Sequence, residues 1–189
     1  MPNLVVGVCG PIGSGKGVVT DWFKDHGFLT VSLSDEIRVE LRNRNREITR
    51  ESMQEVGNQL REELGDSVLA QRVWDKVGKV EDSRIVIESI RHPEEAKYLQ
   101  AQGNFCLINV TADQKVRYER VAKRHRSGDS LTWEDFLRED TEESMGHHGD
   151  HSQLVNATAK LADFTVDNSG NLANTYIQLA VIMGKITDA

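Results

Sequence analysis

The chain alternates short apolar runs with longer amphipathic stretches. Leu4 to Cys9 is a compact apolar run, and Gly10 to Gly17 after it is a glycine-rich turn. From Lys16 onward Val18, Val19, Trp22 and Phe23 recur with helical spacing, and Gly27 predicts the end of that helix. Phe28 to Leu33 reads as a second strand. Helices are predicted over Ser34 to about Arg44, over Thr49 to about Leu64 with Gly65 as terminator, and over Asp66 to Val77, where Leu69, Val73 and Val77 recur every four residues. Arg84 to Glu88 is β-branched between polar flanks, the pattern of a buried strand. Pro93 opens a helix at its first turn and Gly103 closes it. Phe105 to Val110 is the next strand, and Asp113 to about His125 the next helix. Thr132 to Asp135 has the form of a capping box. Phe164 to Val166 is the last strand, before a helix from Leu172 to Met183. Five strands separated by helices predict an α/β fold, a parallel sheet with helices on both faces in one domain over residues 1–189. In such sheets ligands bind beyond the carboxyl ends of the strands.

Composition narrows the function classes. The chain carries 23 Lys and Arg against 30 Asp and Glu, a net charge of −7. That argues against a protein that coats nucleic acid, which neutralises phosphates with a basic face. No window approaches the length of an apolar membrane span and no basic leader precedes the first strand, so no membrane partner is expected. Cys9 and Cys106 each sit inside an apolar run, as buried reduced thiols of core strands would, and a cytoplasmic location is the matching expectation. His147, His148 and His151 read as a polar surface loop, so no metal ligands are assigned.

The segment Gly10-Pro11-Ile12-Gly13-Ser14-Gly15-Lys16 matches G-x-x-x-x-G-K. With three fixed positions, this composition yields roughly 0.05 accidental matches in a chain of this length. Glycines let successive backbone N–H groups point into one concavity, the helix amino terminus adds its dipole, and Lys16 supplies a point charge for phosphate. Gly17 and Val18 complete the candidate nucleotide loop, but neither offers the hydroxyl that would reach Mg²⁺. The metal is then expected on the nucleotide phosphates, waters and a distant carboxylate. The Gly-Lys-Gly sequence resembles adenylate kinase and its relatives.

Further segments extend that resemblance to the P-loop kinases of small phosphorylated acceptors. Ser34-Asp35-Glu36-Ile37-Arg38 resembles the G-D-x-x-R segment of nucleoside monophosphate kinases, with Ser34 for glycine. Glu88-Ser89-Ile90-Arg91, followed by Glu95, is similar to the D-x-x-R-x-x-x-E segment of deoxynucleoside monophosphate kinases and to the D-G-I-R of archaeal kinase-like proteins, with Glu88 for aspartate. The resemblance implies that Asp35 faces the transferring phosphate and that Arg38 and Arg91 grip the acceptor phosphate. Arg61 is a further acceptor candidate. Arg117, Arg120 and Arg124 share one helix face. By likeness to small kinases, Arg120, Arg124 and Arg126 form a lid over the γ-phosphate; a solvated charged face is the alternative, with Arg42 to Arg50 as another place for a lid. Ala162 to Gly170 resembles the A-D-x-x-I-x-N-x-G segment that borders the adenine, implicating Asn168 and Gly170, although a turn explains both equally. The implied whole is a three-layer P-loop NTPase fold, with a helical acceptor region over about 34–78 and a lid over about 120–150. Its expected catalytic set is Lys16, Asp35, Glu88, Arg120, Arg124 and Arg126. ATP and Mg²⁺ are the expected cofactors, and a nucleoside or deoxynucleoside monophosphate the expected acceptor. Dephospho-coenzyme A kinase is the nearest rival, though its L-V-H-P segment is missing here. A nucleotide-binding switch with little transfer is the remaining alternative.

Overall fold

The computed structural model describes residues 4–81, 83–124, 132–145 and 154–187. Strands β1 (Leu4–Cys9), β2 (Leu29–Ser32), β3 (Arg84–Glu88), β4 (Phe105–Thr111) and β5 (Phe164–Asp167) form one sheet in the order β2-β3-β1-β4-β5. Every neighbouring pair is parallel, with Val6 beside Val86 on one side and Cys106 on the other. The helices are α1 (Lys16–Asp25), α2 (Leu33–Asn43), α3 (Arg50–Leu64), α4 (Val68–Val77), α5 (Pro93–Gln100), α6 (Gln114–Arg124), α7 (Trp133–Met145), α8 (Val155–Ala159) and α9 (Leu172–Thr187).

The strands alternate their apolar side chains between two cores, which is why helices must cover both faces. Val5, Ile85, Ile87 and Leu107 face α2 to α5, among Ile37, Leu41, Val56, Leu60, Leu69 and Leu99. Val6, Val8, Val86 and Ile108 face α1 and α9, among Val19, Phe23 and Leu179. This alternation also separates the thiols. Cys9 belongs to the first core and Cys106 to the second, so the sheet stands between them and they form no disulfide. Burial pushes both up to about 12 and leaves them inert.

The end of β2 and the presence of α8 differ from expectation. The second strand ends at Ser32 because Leu33 turns inward as the first, fully buried residue of α2. The short helix α8 lacks a predicted counterpart, since five residues cannot display a period. The box at Thr132 is real: its Oγ1 accepts from the Asp135 amide at 3.1 Å and starts α7. A third, small cluster ties α7 to the turn after β1. Phe136, fully buried, packs with Ile12 and Val121, flanked by Tyr118 and Trp133. Phe136→Ala should therefore cost about 3–5 kcal/mol in urea unfolding, the range for emptying a buried aromatic site, with ATP binding weakened as well because Ile12 belongs to the loop.

Candidate active site

The sheet's order reverses about β1, whose neighbours are β3 and β4, and the glycine-rich loop emerges at that switch point. A cavity of about 720 Å³ opens there, in the range of small-molecule sites. One wall is the loop, with Gly13, Gly15 and Lys16. The others carry Arg38 of α2, Arg50 of α3, Glu88 and Arg91 after β3, Arg120 and Arg124 of α6, and Glu143 of α7.

The loop is held by what packs behind it. Gly13 has φ 76° and lies so close to the Arg117 backbone that a Cβ would strike the Arg117 carbonyl; Gly15, at φ 91°, would strike the Asn168 amide. Only glycine fits either place. The Ser14 carbonyl accepts from Asn168 Nδ2 at 2.9 Å and Arg120 at 3.4 Å. The Ile12 carbonyl accepts from Arg117 at 3.0 Å, and Arg117 is itself paired with Asp140 of α7 at 2.5 Å and 2.7 Å. These bonds brace the loop's carbonyls from behind, and within the loop the Ser14 amide donates to the Pro11 carbonyl at 3.3 Å. Helix α1 starts there with Gly15 as its uncapped N-cap and no acidic residue in its first turn, a vacancy of charge that suits phosphate. Lys16 Nζ folds back onto the carbonyls of Gly10 at 2.6 Å and Pro11 at 2.9 Å.

Several expected residues take other positions. Asp35 is not part of the cavity wall; its exposed carboxylate binds Arg38 at 2.7 Å, because the inward face of α2 presents Ser34, Ile37 and Arg38 instead. Asn168 is 1% exposed and its polar atoms are committed to Ser14, to Thr175 and, through its carbonyl, to Arg120. It positions the loop rather than touching a purine, and Gly170 lies exposed in the following turn, away from the cavity. Arg61 is 2% exposed and gives Nε and a terminal nitrogen to Glu95 Oε1 at 3.2 Å and 2.9 Å. The other oxygen of Glu95 accepts from the Arg91 and His92 amides. Arg61 thus anchors the turn that presents Arg91, and only its flank borders the cavity. Arg120 splits its role, bracing the loop while lining the site. Arg126 and the three histidines lie outside the described residues.

Gly17 is open to solvent space, with nothing within 4 Å of a Cβ built on it. Glu88 and Glu143 are the carboxylates that line the cavity. Nucleotide phosphates fit the loop, and Mg²⁺ fits Glu88 together with phosphate oxygens and water rather than a loop hydroxyl. Ser89 beside it has φ 65°, a left-handed residue at the glycine position of the D-G-I-R segment, with its hydroxyl accepting from Ser32 at 3.2 Å. Glu143 was not expected as a site residue, and Arg50 was expected only as the end of an alternative lid segment, Arg42 to Arg50. Arg50 carried one signal, a cation in the first turn of a capped helix, where the dipole repels it. Glu143 carried none.

These features define a P-loop kinase-like protein: five parallel strands, helices on both faces, and a phosphate loop leading from the first strand into α1. The chain belongs to the AAA domain family, whose model matches residues 6–146, and to the UPF0200 proteins. The UPF0200 protein of Hyperthermus butylicus is 30% identical over 186 residues, covering 98% of this chain and 96% of its own. TT1252 from Thermus thermophilus superposes with a TM-score of 0.67 at 17% identity over 98% of both chains. Shikimate kinase from Acinetobacter baumannii, in complex with shikimate, gives 0.58 at 11% identity over 98% of this chain and 94% of its own. At such identities the likeness to these structures is one of fold.

Burial, and then the nearby Arg91 charge, push the Lys16 ammonium down from 10.5 to about 8. Between those values the unfolded chain binds more protons than the folded one, so this group makes the ligand-free protein more stable as pH rises through that window. Phosphate binding needs the charged amine and runs the other way. Affinity for ATP should fall as pH rises through about 8, and calorimetric titrations at about pH 7 and about pH 9.5 would read the loss. In Lys16→Met most of that pH dependence should vanish.

Proposed function

We propose that the protein transfers the terminal phosphoryl group of ATP to a small acceptor that carries its own phosphate, a nucleoside or deoxynucleoside monophosphate. The observation that carries this reading is the cationic wall opposite the phosphate loop: Arg38 and Arg91, from different elements, border the same cavity as Lys16. Each already meets a carboxylate of the chain, Arg38 at Asp35 and Arg91 at Glu143, and a dianionic phosphate offers both more charge-assisted contacts. Ile37, Ile48, Met53 and Leu69 line the same cavity and offer an apolar surface to a base.

The chemistry divides simply among these groups. Phosphoryl transfer asks the protein chiefly for positioning and for charge opposite the equatorial oxygens in flight. The loop amides and Lys16 hold the donor, while Arg120 and Arg124 border it from α6. A monophosphate acceptor attacks with an oxygen that is already ionised, so no side chain has to remove a proton. That leaves Glu88 to hold Mg²⁺, which supplies neutralising charge between the phosphates. Acceptor helices α2 to α4 and the α6–α7 region act as the two flanks of a single kinase domain.

Glu88 also supports a second reading. A hydroxyl acceptor such as dephospho-coenzyme A needs a carboxylate base in the cleft, and Glu88 lines it. ADP release measured across a panel of monophosphates, with dephospho-coenzyme A included, separates the two. Tight ATP binding with no acceptor-dependent ADP would instead favour a nucleotide-binding switch, the reading motivated by Gly17 and Val18.

Lys16→Ala should abolish turnover with the fold intact; activity within about threefold of wild type would remove the phosphate-loop assignment. Arg38→Ala and Arg91→Ala should each raise the KM of the acceptor about tenfold or more and leave that of ATP little changed. Each removes charge-assisted contacts worth about 1.5–3 kcal/mol. Equal damage to both KM values would show that the two subsites are not divided in this way.

A further inference from the structure

The anion expected at the acceptor arginines has a stand-in within the chain. Oε1 of Glu143 accepts from Arg91 at 3.2 Å and from Arg50 at 3.2 Å, while Arg50 reaches Glu139 of the same helix at 2.6 Å. Two guanidinium groups from separate elements thus converge on one carboxylate oxygen. The Glu143 side chain is 13% exposed and both arginines are 30% exposed, so the cluster lines the cleft rather than floating on the surface.

The attachment of α7 is lopsided. Trp133 and Phe136 anchor it near its start in an apolar cluster, and the buried Asp140–Arg117 pair anchors its middle. Glu139 and Glu143, one turn apart, meet α3 across a second cavity of about 360 Å³ that Thr49, Arg50 and Gln54 also line. The contacts there are ion pairs, which can exchange for other ions without exposing apolar surface. Arg50 sits at the first position of α3, where the helix dipole disfavours a cation unless an anion is present.

We propose that Arg50 and Arg91 form a subsite for the phosphate monoester of the acceptor, and that Glu143 fills this subsite as an internal competitor until the acceptor displaces it. The acceptor's identity rests on the kinase reading; the place of its anion does not. Entry of a dianionic phosphate replaces one carboxylate oxygen with three oxygens on the same two arginines, an exchange favoured by charge and by the number of available contacts. It also releases Glu143 of α7, and three residues earlier on that helix Asp140 is joined through Arg117 to the Ile12 carbonyl of the loop. Acceptor binding and the phosphate loop are thereby mechanically linked.

The test is equilibrium binding by calorimetry, without ATP, using inorganic phosphate, AMP and dCMP as probes on the full chain. Glu143→Gln removes the competing charge and should tighten a phosphate-bearing probe about fivefold or more. Glu142→Gln, an equal loss of charge one residue away, should change affinity less than about twofold, which separates displacement from a general field effect. Adding Arg50→Gln to Glu143→Gln should abolish the gain, whereas phosphate held at the glycine-rich loop is indifferent to Arg50. Unchanged or weakened binding in Glu143→Gln, or a gain that survives the Arg50 change, overturns the proposal. Glu143→Asp retains the charge but shortens its reach, and should shift affinity in the same direction. Failure of both Glu143 variants to fold would make the contact a structural staple and likewise overturn it. Tightened binding without turnover of any monophosphate leaves the subsite standing and removes the kinase reading. Monophosphate turnover with an unchanged KM in Glu143→Gln does the reverse.

Discussion

A loop that turns its amides toward a ligand has few bonds left with which to hold itself, so its shape must be imposed from outside. Here the imposition comes through backbone carbonyls. Ile12 and Ser14 present theirs to Arg117, Arg120 and Asn168, and the close approach of those same residues leaves no room for side chains at Gly13 and Gly15. The braces come from two other parts of the chain. Arg117 and Arg120 stand on α6, and Asn168 follows β5, so the loop's geometry depends on the completed sheet.

Charge is the second organising element, and it is handled in two ways. Where arginines are removed from water they are fully paired, as Arg117 is with Asp140 and Arg61 with Glu95. Breaking either pair would strand a buried charge, at a cost of about 3–5 kcal/mol. Where arginines line the cleft, their partners are carboxylates that water reaches more readily, as with Arg91 and Glu143 or Arg38 and Asp35. Pairs open to water contribute less to stability than buried ones do when broken.

Helix α7 connects the two systems. Asp140 holds the arginine that braces the loop, and Glu143, three residues on and on the same helical face, reaches Arg50 and Arg91. A small sequence interval thus joins the loop's brace to the arginines across the cleft. Trp133, Phe136 and the buried Asp140 pair fix the helix, while Glu139 and Glu143 add ionic contacts to α3.

By itself the sequence determined the strand–helix order, the parallel five-stranded sheet and the phosphate loop, because these rest on local period, glycine placement and one spaced motif. It also pointed to Arg91, which the fold places on the cavity wall, since that residue follows a strand end within a recognisable segment. The tertiary structure alone decided which arginines face the cleft. In sequence Arg61, Arg117 and Arg120 look alike, and only the fold brings Glu95 to the first, Asp140 to the second and the Asn168 carbonyl to the third. It likewise turned Asp35 out of the cavity, buried Asn168 as a brace and carried Glu143 to Arg50 and Arg91. Those outcomes depend on contacts between residues roughly 20 to 150 positions apart, and helical period or motif spacing carries information only over a turn or two.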